Sequence, residues 1–227
     1  MGGLQAIKAV LFDIDDTLFP STEFAARARK NACRAMVEAG LHAAPTQAFD
    51  TLERIVSRKG SNYGRHFDEL CKKFGCKDSD RVIAAGIVAY HNTKASIQPF
   101  PEAVRTLLAL RDSGYVIAIA SEGQKIKQWD KLIRLGLDCL FHDVFVTNEK
   151  GAGKTPAFYR TISKKLKIPP SKILMVGNNP KKDIEPAAAA GMKTARMRFG
   201  RFAKQKARSD LDLVRLDSLL SSLPGSG

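Results

Sequence analysis

The chain has 227 residues, 44% of them hydrophobic and 26% charged, with a formal net charge of +14. That length suits one large domain, or a core domain with a smaller insertion, and the balance of apolar and charged residues excludes a disordered chain. No apolar run reaches the roughly 18 residues of a membrane helix and AVLF near the start is too short for a signal-peptide core, so a cytoplasmic protein without a membrane partner is expected.

The first predicted element is IKAVLF (7–12), an apolar run read as a buried strand, followed at once by DIDDT (13–17). Residues 20–97 then show no strand pattern. STEFAARARKNACRAMVEAG, PTQAFDTLERIVSRKG, RHFDELCKKFG and SDRVIAAGIVAYHNTKASI read as four helices separated by Gly, Pro and Asn. QPFP (98–101) marks the return to a different rhythm. EAVRTLLALRDSG (102–114) has helical spacing and a Gly stop, and YVIAIA (115–120) is a second strand. KIKQWDKLIRLGL (125–137) is a helix and DVFVT (143–147) a third strand. TPAFYRTISKKLKI (155–168) starts a helix with Pro156 in its first turn. KILMVG (172–177) is the fourth strand, and Asp183 is expected to cap IEPAAAAGM. KTARMR (193–198) and LDLVR (211–215) are weaker strands, and the tail SSLPGSG is expected to fray. Strands alternating with helices predict an α/β fold with a parallel sheet, whose buried strands are apolar throughout. Cys33, Cys71, Cys76 and Cys139 lack the spacing of a zinc site and read as reduced thiols.

Open parallel sheets bind ligands beyond the carboxyl ends of their strands. Four sequence-distant polar stretches fall there: 13–17, 121–123, Lys154, and GNNPKKD (177–183). Asp13 and Asp15 alternate, so an extended backbone places both on one side. A divalent cation would offset their repulsion, and Mg2+ needs only one or two carboxylates besides water and a substrate phosphate. A carboxylate held in this way can attack phosphorus, while a second one protonates the leaving oxygen and then deprotonates water. Asp16 is left to orienting or solvated duty. Ser121 offers a hydroxyl, the amides of the Ser121-Glu122-Gly123 turn offer further donors, and Lys154 offers positive charge against both a phosphate and Asp13. Taken singly, each has a plainer reading: Ser121 a helix cap, Lys154 a solvated lysine. KGAGKT (150–155) resembles a nucleotide-binding loop only in part, because the pattern requires glycine where Asn148 stands.

Together these residues resemble the haloacid dehalogenase-like superfamily, on its phosphatase branch. VLFDIDDTLF matches an apolar strand followed by D-x-D-x-T and Leu. IAIASEG resembles the second motif, a strand ending in Ser; GKTPAFY the third, a Lys followed by Pro and Phe; and VGNNPKKDIEPAAAAGM the fourth. The resemblance implies a doubly wound, Rossmann-like, three-layer core formed by 1–19 and 98–227, with 20–97 as a helical cap that closes over the site and selects the leaving group. It implies Asp13 as nucleophile and Mg2+ ligand, Asp15 as general acid/base with its carbonyl also on Mg2+, and Thr17 in support. Ser121, Glu122 and Lys154 would hold the phosphate, and Asn178 and Asp183 would complete the metal site. Asn178 departs from the usual Asp; its carbonyl can meet Mg2+ but brings no negative charge, so weaker Mg2+ binding is expected.

The expected function is Mg2+-dependent hydrolysis of a small phosphorylated metabolite through an aspartyl-phosphate. A dehalogenase is disfavoured by Asp15, which those enzymes lack. A phosphomutase shares the same core chemistry. A nucleic-acid-associated or regulatory protein with weakened catalysis is the remaining alternative, motivated by Asn178 and by residues 193–208, which carry seven Lys/Arg, two Phe and no acid. A solvated loop is the plainer reading of that stretch. Lys59, Tyr63, Arg65 and His66 are cap residues that could reach a substrate. Neither the substrate nor the oligomeric state is fixed by these residues.

Overall fold

The computed structural model describes residues 4–60, 63–147 and 153–225. Six strands form one parallel sheet: β1 (Ala9–Phe12), β2 (Val116–Glu122), β3 (Asp143–Thr147), β4 (Ile173–Gly177), β5 (Lys193–Met197) and β6 (Leu211–Leu213), in the order β3-β2-β1-β4-β5-β6. Both of the weaker strand predictions are therefore strands. β1 lies inside the sheet because it is apolar and fully buried on both faces, with Leu11 in register with Ala118 on one side and Met175 on the other. The chain leaves β1 for neighbours on opposite sides, which makes its carboxyl end the switch point where open sheets form a crevice.

One face of the sheet packs Ala9, Leu11, Ala118, Ala120, Ile173 and Met175 against Tyr159 and Ile162 of one helix and Ala187 of another. The α/β doubly wound class expected from the sequence is the class observed.

The helices are α1 (Ser21–Glu38), α2 (Pro45–Lys59), α3 (His66–Lys73), α4 (Ser79–Ala95), α5 (Ala103–Asp112), α6 (Lys125–Arg134), α7 (Pro156–Leu166) and α8 (Glu185–Ala189). The chain divides into two compact units, Met1–Thr22 with Gln98–Gly227, and Glu23–Ile97. The second unit has a core of its own, built from Cys33, Met36, Leu52, Leu70, Cys71 and Val82. Within it Gly86 of α4 faces Met36, whose Cγ would stand 2.7 Å from any added Cβ. Tyr63 and His66 pack edge to face, and His66 Nε2 lies 2.9 Å from the Gly60 carbonyl.

The described part of the tail, up to residue 225, is anchored and not frayed, contrary to the expectation; residues 226 and 227 lie outside the described residues. Leu223 is buried, and the Tyr115 hydroxyl donates to the Pro224 carbonyl at 2.7 Å. A polar, glycine-rich composition hid one apolar anchor and one backbone acceptor, which together tie it down.

Candidate active site

Asp13 directly follows β1, and its amide still donates to the Val176 carbonyl of β4 at 2.9 Å. Its carboxylate therefore stands at the rim of the sheet between two strands. Lys154 arrives from the segment before α7, and Asp183 from a wide turn, Pro180–Ile184, that follows β4. Lys154 Nζ donates to Asp13 Oδ1 at 2.6 Å and to Asp183 Oδ1 at 2.6 Å, and all three side chains are buried. Asp183 Oδ2 accepts from the Asn179 amide at 2.9 Å. Asp183 thus does not cap α8, contrary to the sequence expectation. The nearby capping group is Asn179, whose side chain accepts from the amides of Lys181 and Lys182. The misassignment arose because the chain makes a wide turn before α8, so the carboxylate is directed back to the sheet.

Burial raises Asp13 from the usual carboxylate range to about 7; Lys154 opposes the shift, and the Asp183 and Asp15 carboxylates add to it. Burial alone would lower Lys154, but the Asp13 and Asp183 carboxylates outweigh it and hold the lysine well above its ordinary value. The Tyr159 hydroxyl is raised by its own burial and donates to the Lys182 carbonyl at 2.9 Å.

Ser121, at the end of β2, is buried, and its hydroxyl donates to Gln128 Oε1 at 3.3 Å. The Glu122 side chain binds Lys182 Nζ and accepts from the Lys154 amide at 3.3 Å, so it braces the segment that carries the lysine. The Gly123 amide is engaged too, donating to the Thr147 carbonyl at 2.8 Å. Asp15 Oδ2 accepts from Lys131 Nζ at 2.6 Å. Lys131 and Gln128, both on α6, are the site residues that sequence reasoning missed. Their signal was weak, because the obvious apolar residues of α6, Ile126 and Ile133, are exposed while Gln128 and Leu132 face inward.

Asp16 has a left-handed backbone, φ 55°, and is buried. Its carboxylate accepts from the Ser21 hydroxyl at 3.0 Å and from the amide and hydroxyl of Thr22. It is an orienting residue that holds the start of α1, not a solvated one. Thr17 is fully buried, and its hydroxyl has no partner among the described residues. Asn178 is buried, and its Nδ2 donates to the Phe199 carbonyl at 3.4 Å. Among the described residues no group of three His, Cys, Asp or Glu side chains could hold a metal. The oxygen donors at this rim are the Asp13 and Asp183 carboxylates, both engaged by Lys154, the Asp15 carbonyl and the Asn178 amide carbonyl.

The basic stretch 193–208 is mixed: Arg201, Lys204, Lys206 and Arg208 are exposed, whereas Arg196 and Arg198 are engaged within the fold. Arg196 is fully buried with Nη2 on the Phe202 carbonyl at 2.6 Å, and Arg198 binds Asp212 at 2.6 Å. Phe199 packs edge-on against Phe100 with ring centres 4.9 Å apart. Residues 150–152 of the KGAGKT stretch lie outside the described residues.

A parallel sheet with a carboxylate–ammonium–carboxylate cluster at its switch point, a serine at the next strand end and a second carboxylate two residues after the first defines a class: α/β proteins with a buried acid–base site at the carboxyl rim of the sheet. A family model of haloacid dehalogenase-like hydrolases matches residues 7–191. The chain is 41% identical over 211 residues to the glyceraldehyde 3-phosphate phosphatase of Methanopyrus kandleri, covering 91% of each chain. It is 34% identical to the enzyme of the same name from Pyrococcus furiosus, over 97% of this chain and 94% of that one. Its fold is similar to a haloacid dehalogenase-like family hydrolase from Xanthomonas campestris, with a TM-score of 0.70 at 19% identity, over 96% of this chain and 95% of that one. The chain belongs to the haloacid dehalogenase-like hydrolases, on their phosphatase side.

Proposed function

We propose that the protein hydrolyses a small phosphorylated metabolite through a phosphoryl group carried transiently on Asp13, and that glyceraldehyde 3-phosphate is the first substrate to test. The single observation that supports this reading is Lys154 Nζ lying 2.6 Å from both Asp13 and Asp183 in a buried pocket at the sheet's carboxyl rim. Asp13 attacks phosphorus, and the bond to the leaving oxygen breaks. Lys154 and the Ser121 hydroxyl stabilise charge on the phosphoryl oxygens. Asp15 gives a proton to the departing alkoxide, then takes one from the water that releases phosphate from Asp13.

The donors fit a Mg2+ ion. Asp13 is pushed up to about 7 by its burial, with the Asp183 and Asp15 carboxylates adding to the shift, and an added dication opposes it. Asp13 and the Asn178 carbonyl would hold the ion, with water supplying the rest of its shell. Bound there, it would supply positive charge that keeps Asp13 anionic and neutralises phosphate oxygens.

The test is phosphate release from glyceraldehyde 3-phosphate and from a panel of phosphorylated metabolites, with Mg2+ and with a chelator. Turnover is expected to need Mg2+ and to fall by at least about 10³-fold in Asp13→Asn. Full activity in Asp13→Asn would remove the nucleophile assignment. Activity on other phosphates but not on the triose would remove only the substrate.

A further inference from the structure

Asp15 is not fixed by the groups that fix Asp13. Its carboxylate is partly open to solvent and meets Lys131 Nζ through Oδ2 at 2.6 Å. Lys131 sits on α6, more than a hundred residues further along the chain, and its side chain is largely shielded. The same ammonium donates to Gln128 Oε1 at 3.3 Å, and Gln128 is itself buried. Gln128 Oε1 also accepts from the Ser121 hydroxyl at 3.3 Å, while its Nε2 donates to the Glu122 carbonyl at 3.1 Å. One amide side chain is therefore anchored on the end of β2, and it holds the lysine that holds Asp15.

We propose that Lys131, braced by Gln128, is a positioning residue for the Asp15 carboxylate, tying Oδ2 so that Oδ1 is presented to the leaving oxygen and then to the attacking water. The proposal rests on the reading of Asp15 as general acid/base. Two features of the geometry carry it. First, a short aspartate side chain at a solvent-open rim has several staggered positions, and a charge-assisted bond to a braced cation selects one of them. Secondly, Ser121 has one hydroxyl proton, which points at Gln128 in this state. When that proton turns to a phosphate oxygen, Lys131 keeps the buried Gln128 carbonyl paired, so the serine is released without orphaning an acceptor.

A purely structural lysine would lower all rates alike. A lysine that aims a proton donor would matter most where the leaving group needs a proton. The test therefore compares kcat/KM, which reports the step up to phosphoryl transfer, for an alkyl phosphate that the wild type hydrolyses and for p-nitrophenyl phosphate, whose phenolate leaves with little help. Lys131→Met is expected to lose about tenfold or more on the alkyl phosphate and less than about threefold on the aryl one, part of the roughly 10²–10⁴ that a placed general acid supplies. Lys131→Arg should restore most of the loss. Asp15→Asn, run alongside, should show the same selectivity more strongly. If Asp15→Asn is selective and Lys131→Met is not, whether through equal losses or none, the positioning role is overturned and Asp15 keeps its assignment. If Asp15→Asn loses both substrates equally, the Asp15 reading falls and takes the proposal with it. Should Lys131→Met give little folded protein, Lys131→Gln goes through the same comparison with the same two outcomes.

Discussion

Lys154 and Arg196 are two buried cations near the carboxyl end of β4, and they live in opposite surroundings. Lys154 has two carboxylate oxygens, each at 2.6 Å. Arg196, in register with Gly177, has one backbone carbonyl, that of Phe202, while its Nε and Nη1 have no partner among the described residues. The lysine is held above its ordinary pKa by Asp13 and Asp183, which outweigh its burial. The arginine is pushed below its own by burial and by Arg198, with Asp212 opposing. A buried charge surrounded by opposite charge is the kind of perturbed cluster that marks a functional site. A buried charge left with a single neutral acceptor is a cost carried by the fold.

The strongest way to break that contrast is to remove each cation. Lys154→Met should lower kcat/KM by about 10²–10³-fold and, in chemical denaturation of metal-free protein near neutral pH, lower stability by about 3–5 kcal/mol, because Asp13 and Asp183 are left buried without a cation. An unchanged stability would mean that the cluster contributes nothing to folding.

The pH dependence tests the carboxylate half of the same cluster. Asp13 is raised to about 7, so it binds its proton more tightly folded than unfolded. Its contribution is favourable below the unfolded value near 4 and is lost as pH rises towards 7, a fall on the order of 2–4 kcal/mol. Urea melts of metal-free protein from pH 4.5 to 7.5 should show that decline, and Asp13→Asn should flatten it. Added Mg2+ should flatten it as well.

Asn178 links the two regions, since its amide reaches Phe199 in the loop whose Phe202 carbonyl receives Arg196. Asn178→Asp brings a negative charge next to Asp13, and titration calorimetry should show Mg2+ bound about tenfold more tightly. Looser binding would place the ion elsewhere. The smallest effect sharpens the contrast from the other side: Arg196→Met, of similar volume, should leave stability within about 1 kcal/mol of wild type or raise it. A loss as large as that of Lys154→Met would make the two cations equivalent and defeat the comparison.

The parts of the site legible in the sequence were those fixed by strand ends. Asp13, Ser121 and the 177–183 turn each follow an apolar run, and a parallel sheet collects such ends on one rim. Lys154 was legible through its neighbours Thr155 and Pro156, which open α7. What stayed hidden depended on side-chain direction. Glu122 follows Ser121 by one residue, and strand alternation sends the two to opposite faces, so a turn read as one donor set is split between a hydroxyl and a brace. Gln128 and Lys131 required knowing that α6 turns Ile126 and Ile133 outward. Arg196 was counted with a surface charge cluster because a tally of Lys and Arg does not register that β5 is buried along most of its length.

Gly177 shows how little room this chemistry has. A methyl group there would come within 2.5 Å of Asp183 Cγ and 2.6 Å of its Cβ. The carboxylate that helps to steady Lys154 thus occupies the space where any other amino acid would keep its own first carbon. The smallest residue at a strand terminus acts as a mould: filling it would displace an acid, leave the ammonium with a single anionic neighbour, and shift the electrostatics of Asp13 without altering any group that reacts.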